Sequence, residues 1–156
     1  MKGIEPKPPL TRRQIMTLGA SGLVATLTPL SAFAEPEDMR AAQKEMFGDR
    51  PIQIGRVTLA LPPIAENGYS VPIEINVDSP MSPDDYVKTI TVFSPRNPLP
   101  VLASFHLTPH SGRASVSTRI RMGGTQVVTV VAEMNDGSLW SGTAETLVTL
   151  AACVIL

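Results

Sequence analysis

From about residue 52 onward, apolar and polar side chains alternate in short runs separated by turn-forming residues. The runs span 54–61, 70–77, 87–93, 101–107, 114–122, 125–134 and 143–150, with a shorter one at 138–140 joined to the run before it. A period of two puts every second side chain on one face of an extended strand. Between the runs stand Pro62-Pro63, Glu66-Asn67-Gly68, Ser79-Pro80, Ser94-Pro95-Arg96-Asn97-Pro98, Gly112, Gly123-Gly124 and Asn135-Asp136-Gly137. Asp136-Gly137 between two apolar runs is a hairpin signal, because Gly tolerates the positive φ that a tight turn needs. One stretch reads differently. Residues 37–47 (EDMRAAQKEMF) are rich in helix formers, begin with acidic side chains that suit the helix dipole and are followed by Gly48. Their loose apolar stripe predicts a short helix packed at one edge. Some seven short strands, Pro-rich connections and few aromatics predict an all-β fold, an immunoglobulin-like antiparallel β-sandwich with a short N-terminal helix.

The first 34 residues do not fit this pattern. Thr11-Arg12-Arg13-Gln14-Ile15-Met16 is a twin-arginine motif ahead of a mildly apolar run, and Ala32-Phe33-Ala34 is an A-x-A cleavage site. Residues 1–34 are expected to be a twin-arginine signal peptide, residues 35–156 a single sandwich domain, and the destination the periplasm. Its removal leaves 122 residues with nine basic and 13 acidic side chains, a net charge of −4, and no membrane span. Twin-arginine export carries folded cargo, which either holds a cofactor or travels with a partner. No haem motif, Gly-rich phosphate loop or metal-ligand cluster is present, so no cofactor is expected and a partner is. A full-chain charge of −1 without a Lys/Arg cluster argues against nucleic acid.

A single cysteine, Cys153, excludes an internal disulfide framework and any multi-Cys metal site. A free Cys is often a small buried hydrophobe. In an exported protein an unpaired thiol also suggests intermolecular pairing or reactivity. In the last run Ala144, Thr146, Val148, Leu150 and Ala152 share the more apolar face, the expected core side. Glu145, Leu147, Thr149, Ala151 and Cys153 share the other. A strand continuing unbroken turns Cys153 outward, and a one-residue bulge reverses this. Other candidates are weaker. His106 and His110 flank Thr108-Pro109 without a third ligand, which suits hydrogen-bonded turn residues better than a metal. Asp84-Asp85, after Ser82-Pro83, suits a turn cap. Arg96, Arg113, Arg119 and Arg121 are able to attract an anion. No nucleophile–base pair is present, so no enzyme activity is expected.

Several blocks together resemble the SoxY family, the sulfur-carrying subunits of the SoxYZ complex of thiosulfate oxidation. They are Asp78-Ser79-Pro80-Met81 with Asp84-Asp85-Tyr86-Val87, Phe93-Ser94-Pro95-Arg96-Asn97-Pro98, and Phe105-His106-Leu107-Thr108-Pro109. Further on come Ser117-Thr118-Arg119-Ile120-Arg121, Thr125-Gln126-Val127-Val128 and Ala132-Glu133-Met134. The resemblance implies an immunoglobulin-like sandwich paired with a SoxZ-like subunit and exported with it. It also implies a carrier that presents a bound sulfur compound to the enzymes of the Sox system, held covalently on the terminal cysteine, here Cys153. The family's arm reads Gly-Gly-Cys-Gly-Gly, whereas this chain reads Ala151-Ala152-Cys153-Val154-Ile155-Leu156. Ala and β-branched residues remove backbone freedom that Gly supplies. The alternative is a non-catalytic interaction sandwich whose Cys is inert or forms an interchain disulfide.

Overall fold

The structure, a computed structural model, describes residues 36–152. Helix α1 (Pro36–Phe47) opens with Glu37 and Asp38 in its first turn. It closes on Gly48, whose φ of 67° lets its N–H reach Lys44 O at 2.8 Å. Among the described residues nine strands follow: β1 (Ile52–Ile54), β2 (Val57–Ala60), β3 (Ile64–Ala65), β4 (Val71–Val77), β5 (Val87–Phe93), β6 (Val101–His106), β7 (Ser115–Ile120), β8 (Gln126–Met134) and β9 (Leu139–Val148). They form two sheets. The larger runs β1-β9-β8-β5-β6 with β3 also on β9, and the smaller runs β2-β4-β7.

Alternation builds the core. Val71, Ile73, Ile75 and Val77 point inward from β4, while Pro72, Glu74 and Asn76 face out. Val128, Val130, Ala132 and Met134 of β8 meet them from the larger sheet. The other face of that sheet is partly apolar as well. Phe93, Val131 and Leu139 are buried there because α1 lies over them, bringing Phe47 edge-on to Phe93 with ring centroids 6.1 Å apart. Arg50 fixes the helix end to the β8–β9 turn. Its Nε donates to Phe47 O at 2.9 Å, and its Nη1 donates to Glu133 Oε1 at 2.9 Å and to Gly137 O at 3.0 Å.

The all-β sandwich and its helix are as the sequence predicts; four local features differ. The run at 54–61 is not one strand. Gly55 (φ 126°) and Arg56 (φ 54°) turn the chain between β1 and β2, moving it from the larger sheet to the smaller. The runs at 138–140 and 143–150 form one continuous strand, β9, ending at Val148. Gly142 inside it is needed for space, because a Cβ there would stand 2.3 Å from Val57 O. Both pairings of the early chain with β9 are parallel, through β1 and β3. A register shift between Val87 and Thr89 also changes the parity of β5, so Val87, Ile90 and Val92 all reach the core.

The Asn135-Asp136-Gly137 hairpin forms as expected, with Gly137 at φ 84°. Asp136 Oδ1 accepts the Ser138 N–H at 2.8 Å. Hydrogen bonding from the Ser138 side chain, then from its backbone, holds this exposed carboxyl below its ordinary pKa. A lowered folded-state pKa contributes stability above the unfolded value and loses it as pH falls through the folded one. The expected result is a carboxyl titration midpoint for Asp136, followed by NMR, that lies below the ordinary aspartate value and returns toward it in Ser138→Ala.

Candidate functional site

Cys153 lies outside the described residues, so the site is built from the residues that lead to it. β9 stops at Val148, whose N–H donates to Thr125 Oγ1 at 2.9 Å. The next four residues leave strand geometry, which corrects the expectation of one run through 150. The parity of 143–150 holds as far as Thr146, fully buried, and Val148; Leu150 is 58% exposed instead of inward-facing. Beyond Val148, strand parity no longer assigns a direction to Cys153.

Backbone hydrogen bonds fasten this segment instead. Thr149 N–H donates to Ala65 O at 3.1 Å and its Oγ1 to Glu66 O at 2.8 Å. Gly68 N–H donates to Leu150 O at 2.7 Å, Met122 N–H to Gly68 O at 2.9 Å and Ala152 N–H to Met122 O at 3.0 Å. Gly68 is therefore the stitch between three segments. A Cβ on it would lie 2.6 Å from Met122 O and 3.0 Å from both Ala152 N and Leu150 O, and only glycine leaves that space. The turn that brings it there is closed by Asn67 Oδ1, which accepts the Tyr69 N–H at 2.8 Å.

A buried polar knot holds Met122 in turn. Asn97 Nδ2 donates to Arg121 O at 2.8 Å, and Asn97 Oδ1 accepts the Gly123 N–H at 2.8 Å, so one side chain grips both neighbours of Met122. Ser94 Oγ lies 2.6 Å from Gln126 Oε1 and 2.9 Å from Asn97 Oδ1, and Gln126 Oε1 also accepts the Arg96 N–H at 2.9 Å. Gly123 is forced by closeness, since its Cβ would meet Arg96 O at 2.5 Å. The 94–98 segment, read from sequence as a Pro-rich breaker, thus fixes the loop on which the C-terminal segment rests. Sequence reasoning marked Gly68 and Gly123 as turn residues and missed their role as contact points; nothing about a glycine's flanks distinguishes the two.

The remaining candidates separate. Asp84 and Asp85 form a turn: Asp85 N–H donates to Ser82 Oγ at 3.2 Å, and Asp85 Oδ2 pairs with Arg56 at 3.0 Å. Arg56 also lies over Trp140, 5.6 Å from the ring centroid. His106 stands at the end of β6 with Nδ1 3.3 Å from Thr89 Oγ1, and His110 lies in a 3-10 turn (Pro109–Ser111). Among the described residues no three or more His, Cys, Asp or Glu side chains are grouped to hold a metal. Arg96 donates through Nη1 to Thr125 O at 3.0 Å, whereas Arg113, Arg119 and Arg121 are exposed.

Fold and site together define an immunoglobulin-like sandwich whose elaborated feature is a fastened segment leading to one cysteine. The model of the family "Sulfur oxidation protein SoxY" matches residues 43–153. The chain belongs to the SoxY family, and the match takes in Gly68, Asn97 and Met122 and runs through Cys153. Among solved structures, the sulfur carrier protein SoxY from Chlorobium limicola f thiosulfatophilum is similar at 32% identity and TM-score 0.62, over 73% of this chain and 98% of that one. Superoxide reductase (neelaredoxin) from Ignicoccus hospitalis matches at TM-score 0.53 and 14% identity, over 75% of this chain and 95% of that one. Superoxide reductase from Nanoarchaeum equitans matches at TM-score 0.51 and 12% identity, over 61% and 99%. These two share the fold alone. No curated protein matches.

Proposed function

We propose that the chain is a sulfur-compound carrier that holds its cargo covalently on Cys153 and presents it to partner enzymes without catalysing the chemistry itself. The observation that carries this reading is a family match ending on Cys153, one residue past the last fastened amide, Ala152. A thiolate is the form that accepts sulfur. In the loading step it forms an S–S bond with the outer sulfur of a thiosulfate-class anion. The thiol proton is released and two electrons pass to an oxidising partner enzyme, so the adduct is reductant-labile. On the same reading residues 1–34 direct twin-arginine export, residues 35–156 act in the periplasm, and a SoxZ-like subunit accompanies them as a heterodimer. Among the described residues no helix is long and apolar enough to cross a membrane.

Intact-mass measurement of protein from cells oxidising thiosulfate is the test. The expected result is a mass increment removed by reductant and absent in Cys153→Ser, with the fold of that variant unchanged by circular dichroism. An unmodified mass under turnover, with the thiol inert to alkylating reagents in the folded protein, overturns the carrier in favour of an interaction sandwich.

A further inference from the structure

The two long sides of the sandwich are finished differently. On one, β9 is covered by β1 and β3. On the other, β6 ends the larger sheet and β7 ends the smaller, and among the described residues neither has a strand beyond it. Between these two edges lies a hollow of about 400 Å³ lined by Leu102, Phe105, Ile120, Arg119 and Arg121. A second, of about 280 Å³, adjoins it and adds Leu99 and Val101. Leu99 is 73% exposed.

Strand β6 (Val101–His106) is six residues long and has no Pro, Lys, Arg, Asp or Glu. Unprotected edges of this kind invite pairing and are usually blunted by charge or proline. The other open edge, β7, carries Arg119, and β1, β2 and β3 are two to four residues long. Charge is also segregated here. Residues 86–132 hold five basic side chains and no Asp or Glu, in a chain with 14 acidic and 13 basic residues overall. Arg119 and Arg121 are exposed and have no ion-pair partner among the described residues.

We infer that this edge is the docking site of a partner polypeptide, which adds an extended strand along β6. The partner seats an apolar side chain in the hollow between the sheets and sets acidic side chains against Arg119 and Arg121. Strand addition supplies main-chain hydrogen bonds, and the arginines supply register and choice of partner. A second copy of this chain paired edge to edge does not suit it, because that pairing would bring the same arginines and no carboxylate. The inference rests on the two-subunit reading above and names the surface and chemistry that reading leaves open.

The test uses the full chain with its SoxZ-like subunit, comparing amide hydrogen exchange free and mixed, and affinity at low and high salt. Expected are slowed exchange confined to β6 and affinity about tenfold or more weaker in Arg119→Glu/Arg121→Glu, with a smaller loss in Arg119→Gln/Arg121→Gln. Arg40→Glu, on the exposed side of α1, is expected to bind normally. A complex that leaves β6 exchange unchanged and tolerates the charge reversal overturns this inference while the two-subunit reading stands. Concentration-dependent protection of β6 in the chain alone assigns the edge to a second copy and overturns it too. If no complex forms, the two-subunit reading fails and this inference with it.

Discussion

Replacing Gly68 by Val is expected to destabilise the domain by about 2–3 kcal/mol, the upper part of the range for forcing atoms into a filled site. The added carbon meets main-chain atoms on three sides, Met122 O at 2.6 Å and Ala152 N and Leu150 O at 3.0 Å, and main chain yields less readily than a side-chain tip. Relief requires the segment after β9 to move away, so the stitches Gly68 N–H to Leu150 O and Ala152 N–H to Met122 O are lost together. Denaturant titration gives the energy; a rise in amide exchange at Gly68 and Ala152 beyond that expected from the global loss, which β8 reports, gives the location. Gly48→Ala is the control. Its Cβ meets nothing within 4 Å and only φ 67° opposes it, so it is expected to cost about 1 kcal/mol and to leave exchange at Ala152 unchanged. Equal exchange at Ala152 in Gly68→Val and in the parent would show that Gly68 does not hold the segment.

Asn97→Ala removes a side chain that is 4% exposed and satisfies Arg121 O and Gly123 N–H at once. Each buried group left unpaired costs about 1–3 kcal/mol, so a loss of about 2–4 kcal/mol is expected, read as a fall in melting temperature of roughly 8–15 °C. Because those two groups flank Met122, the variant is also expected to speed exchange at Ala152, about two peptide units from the mutation through Met122 O. Asn97→Asp keeps the acceptor for Gly123 N–H but turns a buried carboxylate oxygen toward Arg121 O, so at neutral pH it is expected to cost at least as much as Asn97→Ala. If Asn97→Ala melts like the parent, the knot is not what positions this loop.

Much of this fold is legible in the sequence. Strict alternation at Val71–Val77 marks residues buried on one face, while Gln126–Met134, with Val131 buried on the helix side, alternates less cleanly, and burial of apolar side chains is what decides their direction. The helix was legible from its composition and its Gly48 stop. The switch of sheets at Gly55-Arg56 was not, because the turn resides in two backbone angles. The unity of β9 was hidden by Gly142, which resembles a break and is in fact a gap left for Val57. Least visible was the fastening of residues 149–152. It is made almost wholly by N–H and C=O groups, which every residue carries, so no pattern of side chains announces it. The family blocks nonetheless included Asn97 and Gln126, whose amides make the knot; the sequence showed that these residues belong together without showing what they grip.

The stitches after β9 lie in series along the chain: Thr149 to Ala65, Leu150 to Gly68, Ala152 to Met122. A pull from the far end would meet them one at a time, as a zip opens, with Ala152 first and Thr149 last. Four residues peeled off in this order would release about 13 Å of chain at full extension. The segment after β9 therefore stores chain length in graded instalments, each released by the loss of one more main-chain bond.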